Sequence, residues 1–206
     1  MKTYFKIIQI AQQSLLAISI LILCILPTAL VFNPDWFTMD KITWLYAIAH
    51  FTLFLVMIIR PLADLIRNVV WLRPLVILRK GMGVLSAAII VSFLLETLIT
   101  NGSSYIASMG TSAYWSLTNL ALFAHLADIS AVLLLITSNN LSKQLLGKNW
   151  KRIQRLSYVY FYGSSFYVLF VLEDNSVIAY IVIVTLLTFL AFLRNHNFLF
   201  QTSKQQ

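Results

Sequence analysis

Four side chains stand out because they can bind or move protons inside segments that are otherwise apolar: His50, Glu96, His125 and Asp128. An acid within a membrane span is costly enough that it faces the bundle interior and takes a partner. His125 and Asp128 are three residues apart and share one helix face, so the carboxylate can orient or charge-stabilise the imidazole. Together the four residues define an expected polar cluster for a proton, a metal ion or a quinone headgroup. The competing expectation is that each histidine hydrogen-bonds a neighbouring helix and that Glu96, one turn from a helix end, reaches the interface. His196 belongs to a polar tail and is expected to be solvated.

The elements that must position these residues are membrane spans. Of the 206 residues 60% are hydrophobic and 11% charged, with a mean hydropathy of +0.83. A soluble domain carries about a quarter charged residues, so this apolar excess excludes one water-soluble core. Six apolar segments are expected as spans, at about 12–32, 43–62, 82–100, 115–137, 156–172 and 175–193, most near the ~20 residues that cross hydrocarbon. The first is longer than the apolar core of a signal peptide and no A-x-A-like site follows it; it is read as a retained helix. Cys24, the single cysteine, is expected as a buried thiol, and one cysteine permits neither a disulfide framework nor a Cys/His zinc pattern.

The net charge of +8 follows topology rather than nucleic acid. Lysine and arginine collect at the N-terminus (Lys2, Lys6), at 60–80 (Arg60, Arg67, Arg73, Arg79, Lys80), at 143–155 (Lys143, Lys148, Lys151, Arg152, Arg155) and at the C-terminus (Arg194, Lys204). With six spans these stretches share one side, and the opposite side holds Lys41 with Asp35, Asp40, Glu173 and Asp174. The positive-inside rule then makes both termini cytoplasmic. The connection 101–115 is small and polar, with Tyr105, Tyr114 and Trp115 as interfacial anchors, and the 60–80 segment, interrupted by Pro61 and Pro74, is expected as a short interfacial element. No repeat, linker or extramembrane domain is evident. Neither G-x-G-x-x-G nor a Walker A pattern occurs, so any hydride donor would be handled by another polypeptide.

The run ITSNNLSKQLLGKNWKRIQRLSYVYFYGSSFYVLF resembles the helix-four to helix-five junction of the ferric-reductase-like transmembrane family, and most of all the haem-binding membrane subunit of bacterial periplasmic methionine sulfoxide reductase systems. The likeness rests on Thr137-Ser138, then Leu146, Gly147, Lys148 and Trp150, then Arg155-Leu156 and Tyr158. IIRPLADLI followed by LRKGMGVLSAAIIVSFLLETL adds a weaker match, and the resemblance spans about 45–175. It implies an all-α, six-span bundle in a bacterial inner membrane, haem b between helices three and five, and a role in electron transport. The histidines that would ligate haem fall at Phe93, Gln154 and Tyr167, none of which is histidine, and helices three and five contain none.

Three functions follow as expectations. The first is a haem-poor or haem-free derivative acting with a membrane or periplasmic protein partner. The second is an active electron-transfer subunit of an oxidoreductase system, with haem relocated between His50 and His125, whose expected depths differ by about one turn, or with quinone or with flavin at Lys151, Gln154 and Arg155. The third is a small proton- or metal-coupled membrane protein using Glu96 and the His125–Asp128 pair. In the haem-free case the aromatic run Tyr158, Tyr160, Phe161, Tyr162, Phe166 and Tyr167 fills the volume of the porphyrin, with Phe93 and Tyr167 pointing at each other. The bland expectation for that run is ordinary membrane-core packing.

Overall fold

The computed structural model describes residues 2–116, 121–171 and 173–195; His196 and Lys204 lie outside them. Every regular element among these residues is helical. Six long helices follow in order: α1 (Lys2–Phe32), α2 (Met39–Leu65), then, after the single turn α3 (Leu72–Leu75), α4 (Leu78–Met109) and α5 (Ala121–Thr137). Two short helices, α6 (Asn140–Leu146) and α7 (Lys148–Gln154), lead into α8 (Leu156–Val171) and α9 (Ser176–Asn195).

Local chemistry sets several of these boundaries. The residue before a proline is pushed out of the α region, and α1 ends where Asn33 meets Pro34. Asp40 lies in the first turn of α2, where a negative charge complements the free amides. The Asn139 side chain accepts the Ser142 N–H at 2.6 Å and caps α6. Gly147, at φ 49°, ends α6 and begins α7, a backbone conformation that glycine adopts without steric cost.

Four stretches are long and apolar enough to cross a membrane: Thr3–Phe32, Met39–Leu65, Leu72–Met109 and Ser176–Asn195. Ala121–Thr137 and Asn140–Leu146, bent by 97°, make a fifth if the pair counts as one span. The protein is therefore an all-helical chain with four to five candidate spans, against the six expected. The difference lies at α8, whose 16 residues reach about 24 Å, short of the ~30 Å hydrocarbon core.

Other sequence expectations need correction. Helix α1 begins ten residues before the apolar run, because the polar residues of its first turns sit on a continuous helix rather than ending it. Helix α4 runs on through most of the expected 101–115 connection to Met109, kinked at Asn101 (φ −131°, ψ 27°). Pro61 lies inside α2 instead of stopping it; a proline near a helix end removes one hydrogen bond without forcing an exit. Cys24 is exposed on α1 rather than buried.

Helix α4 is central, packed along α1 and α2 and also meeting α5; α8 lies along α5, and α9 along α2. The core draws Leu53, Phe54 and Met57 from α2, Ala87 and Val91 from α4, Ala127, Ala131 and Leu134 from α5, Tyr160 and Phe161 from α8 and Val184 from α9. Small residues set the spacing, as they do where helices pack without a hydrophobic driving force. A Cβ on Gly81 would meet Leu15 Cβ at 3.0 Å, and one on Gly163 would meet the Phe123 carbonyl oxygen at 2.9 Å. The outer faces of α1 and α9 remain apolar and exposed, with Ile20, Ile25, Phe189 and Phe192 among them, as a lipid-facing surface requires.

Candidate functional site

A cavity of about 290 Å³ lies between α2, α4, α5 and α8. Helix α2 lines it with Tyr46, Ala49, His50 and Leu53, α4 with Ile90, α5 with Ala124, Ala127 and Asp128, and α8 with Tyr160, Ser164, Tyr167 and Val168. These positions recur at intervals of three and four residues on each helix, the spacing that puts side chains on one face. Tyr46 is seven residues from the start of α2, Asp128 seven from the start of α5 and Tyr167 four from the end of α8. At ~1.5 Å per residue the cavity sits about 10 Å from the end of the bundle that carries Asp35, Asp40, Glu173 and Asp174.

Its walls are held by bonds that cross helices. Ser86 of α4 donates to the Ala49 carbonyl at 2.8 Å, and its hydroxyl lies 2.9 Å from that of Tyr160, so one buried serine ties α2, α4 and α8 together. His50 Nε2 is 3.4 Å from Ser165 Oγ, and its ring stacks between Phe161 (5.8 Å) and Tyr180 (5.7 Å). The Asp128 carboxylate and the hydroxyls of Tyr46 and Tyr167 make no hydrogen bond or ion pair among the described residues. No lysine or arginine lines the cavity.

The structure divides the expected four-residue cluster. His50 and Asp128 share the cavity. His125 instead stacks flat on Tyr114 at 3.6 Å, edge-on to Trp115 at 6.3 Å, and its buried Nδ1 has no partner among the described residues. Glu96 faces its own helix, within 3.4 Å of the Thr97 hydroxyl and 3.3 Å of that of Thr100. His50 lies eleven residues into α2, about 16 Å from its start at Met39. Helices α2 and α5 do not pack directly, and the two imidazoles are not brought together.

Phe93 stacks on Tyr46 at 4.6 Å, so Tyr46 takes the place beside the cavity where Phe93 was expected to face Tyr167. Gln154 donates weakly to Thr137 Oγ1 at 3.5 Å. Of the aromatic run, Tyr160 and Tyr167 line the cavity, Phe161 is fully buried, Tyr162 bonds the Thr185 hydroxyl at 2.9 Å, Phe166 stacks on Phe170, and Tyr158 is exposed. Haem b, which the resemblance implies, does not fit these residues. One imidazole reaches the cavity, none stands at the family's ligand positions, and the volume is at the floor of the roughly 300–1,000 Å³ of ligand pockets, too small for a four-ring macrocycle.

A larger groove of about 770 Å³ runs along the surface between the start of α1 and α3, lined by Tyr4, Lys6, Gln9, Trp71 and Pro74 among others. It contains no acid or histidine and offers no comparable chemistry.

Sequence reasoning missed Tyr46, Ser86 and Ser164. Tyr46 was detectable as the residue four before His50, and Tyr160, Ser164 and Tyr167 form a stripe spaced by four and three; Ser86 gave no signal, being one small residue in an apolar helix.

No family model matches this chain, and no curated protein and no solved structure is significantly similar to it.

Proposed function

We propose that this protein is a haem-free member of the ferric-reductase-like transmembrane class, a six-span bundle of a bacterial inner membrane with both termini cytoplasmic, that acts through a membrane or periplasmic protein partner. The observation that carries this reading is the junction encoded by LGKNW. Trp150 Nε1 donates to the Thr137 carbonyl at 2.9 Å, and Gly147 turns the chain at positive φ, so the motif residues fix how α5 hands over to α8. The residues at the haem positions, Phe93, Gln154 and Tyr167, are engaged in or face ring packing, a backbone-adjacent hydroxyl and a small cavity, which supports loss of haem with retention of the bundle. The basic stretches at 60–80 and 143–155 support cytoplasmic placement.

A reduced-minus-oxidised visible spectrum with pyridine haemochrome quantification tests this on full-length protein made in haem-replete cells. The expected result is a folded protein with no b-type signal. A stoichiometric signal abolished by His50→Ala would overturn the haem-free assignment and restore electron transfer through a relocated haem. Cysteine accessibility at Lys2 and within 143–155 from the cytoplasmic side tests the topology.

A further inference from the structure

We propose that the cavity between α2, α4, α5 and α8 binds a small organic ammonium cation, held by the Asp128 carboxylate among the rings of Tyr46, Tyr160 and Tyr167. The inference is independent of the class proposed above, since it rests only on the lining of this cavity.

Three observations converge on a cation. First, Asp128 lies within an apolar helix, yet no described residue bonds or pairs with it, and no basic side chain lines the cavity; an acid at such a position calls for a partner. Second, three tyrosine rings from two helices line the same small space, and aromatic faces attract cations most strongly where water is excluded. Third, the cavity lies toward the end of the bundle that carries Asp35, Asp40, Glu173 and Asp174 against Lys41 alone. That surplus of negative charge concentrates cations at this end.

The lining also selects the kind of cation. Among the described residues no three of His, Cys, Asp and Glu converge to hold a metal ion, and one carboxylate with rings is a poor set for a hard cation that takes six or more oxygens. The carboxylate and the two tyrosine hydroxyls without partners suit the N–H groups of a primary ammonium. Leu53, Ile90 and Val168 suit a short apolar body. A volume near 290 Å³ accepts a ligand the size of an arylalkylamine and rejects a lipid.

The test uses the full chain in lipid nanodiscs, titrated calorimetrically with 2-phenylethylammonium and with its uncharged counterpart 2-phenylethanol. Saturable binding of the ammonium at least about tenfold tighter than the alcohol is expected. Asp128→Asn should reduce ammonium affinity to that of the alcohol, Tyr167→Leu should weaken it by about tenfold, and Tyr167→Phe, which keeps the ring, should weaken it less. Should Asp128→Asn fail to fold, the Tyr167→Leu and Tyr167→Phe pair decides alone. Equal affinity for amine and alcohol, unchanged binding in Asp128→Asn or Tyr167→Leu, or competition by sodium at equal concentration would each overturn the proposal. The haem spectrum is unaffected by any of these results, so the two readings fail separately.

Discussion

The two ends of this bundle differ in how far their polar groups are bonded between helices. At the basic end cations close the structure: Arg79 Nε donates to the Val56 carbonyl at 2.8 Å, Arg67 to Asn195 Oδ1 at 2.6 Å, and Arg194 to the carbonyl of Leu65 at the end of α2. Tyr4 adds a bond to the Trp71 carbonyl at 3.1 Å, and Trp150 one to Thr137. Leu65 is the last residue of α2, and last-turn carbonyls have no partner within their own helix. Arg194 thus does more than set orientation; it satisfies a carbonyl that helix geometry leaves open, while Arg79 and Arg67 tie α4 to α2 and the 66–71 turn to α9. Toward the acidic end Asp128, His125 Nδ1 and the hydroxyls of Tyr46 and Tyr167 stay without partners among the described residues. The basic end is stapled between helices, with Thr188 Oγ1 of α9 as its one buried hydroxyl without a partner among the described residues; the other end has local bonds, Lys41 to the Trp36 carbonyl at 2.7 Å and Trp115 to the Met109 carbonyl at 2.9 Å, but keeps more under-bonded groups that a ligand can use.

The strongest way to break this contrast is to overfill the seam behind the cavity. Gly163 of α8 lets α5 approach so closely that an added Cβ would sit 2.9 Å from the Phe123 backbone oxygen, an atom that cannot move aside without shifting its helix. Gly163→Ala should destabilise the protein by about 1–3 kcal/mol, read as a lower unfolding midpoint in detergent. The cavity walls should separate while the staples at the basic end survive, so hydrogen exchange should rise in α5 and α8 before it does at the start of α4. Unchanged stability would mean that the α5–α8 seam is looser than this geometry states.

A smaller loss is expected at Ser86, the bolt that joins α2, α4 and α8. Ser86→Ala removes the donor to Ala49 and leaves the buried Tyr160 hydroxyl without its partner, for a cost of about 1 kcal/mol. Hydrogen bonds between membrane helices average ~0.6 kcal/mol, and a stranded buried polar group adds to that. Ser86→Ala with Tyr160→Phe strands nothing and should recover part of the loss. A double variant that is simply additive would show that the two hydroxyls do not communicate.

At the stapled end, Trp150→Phe keeps a smaller aromatic ring and deletes the indole N–H. The Thr137 bond is partly exposed, so the expected loss is about 0.5–1 kcal/mol, with faster proteolysis between α6 and α8 and no change at the cavity. An effect on cavity binding equal to that of the Gly163 variant would erase the distinction between the ends.

How much of this was readable in advance differs between the same two regions. Apolar runs located all six long helices, because a 3.6-residue helix in lipid needs little beyond length and hydrophobicity. Their ends were misjudged where polar residues continue a helix past its apolar stretch, as in TYFKIIQIAQQ at the start of α1 and TNGSSYIASM at the end of α4. The cavity was half legible: His50 and Asp128 were picked out by charge, but their meeting depends on which faces α4 and α8 turn inward. Nothing in the run around His125 foretold that its ring would lie on Tyr114, a residue of the connecting segment, instead of facing the bundle.

The smallest expected effect lies where the acidic end meets water. Asp174, between α8 and α9, accepts the free Ser176 amide at 2.9 Å, and hydrogen bonds from the Ser176 side chain and backbone hold its carboxyl below the usual carboxylate range. A carboxyl whose acidity is strengthened by folding stabilises the folded state above its unfolded value of about 3.9, and the contribution disappears as pH falls through the lower folded value. Asp174→Ala should therefore lower the unfolding midpoint slightly at pH 7, by less than about 0.5 kcal/mol for so exposed a cap, and the two proteins should converge as pH falls through the lowered folded value. A difference that persists in acid would mean that Asp174 acts through packing rather than charge, and the acidic end would then share more of the closure seen at the basic one.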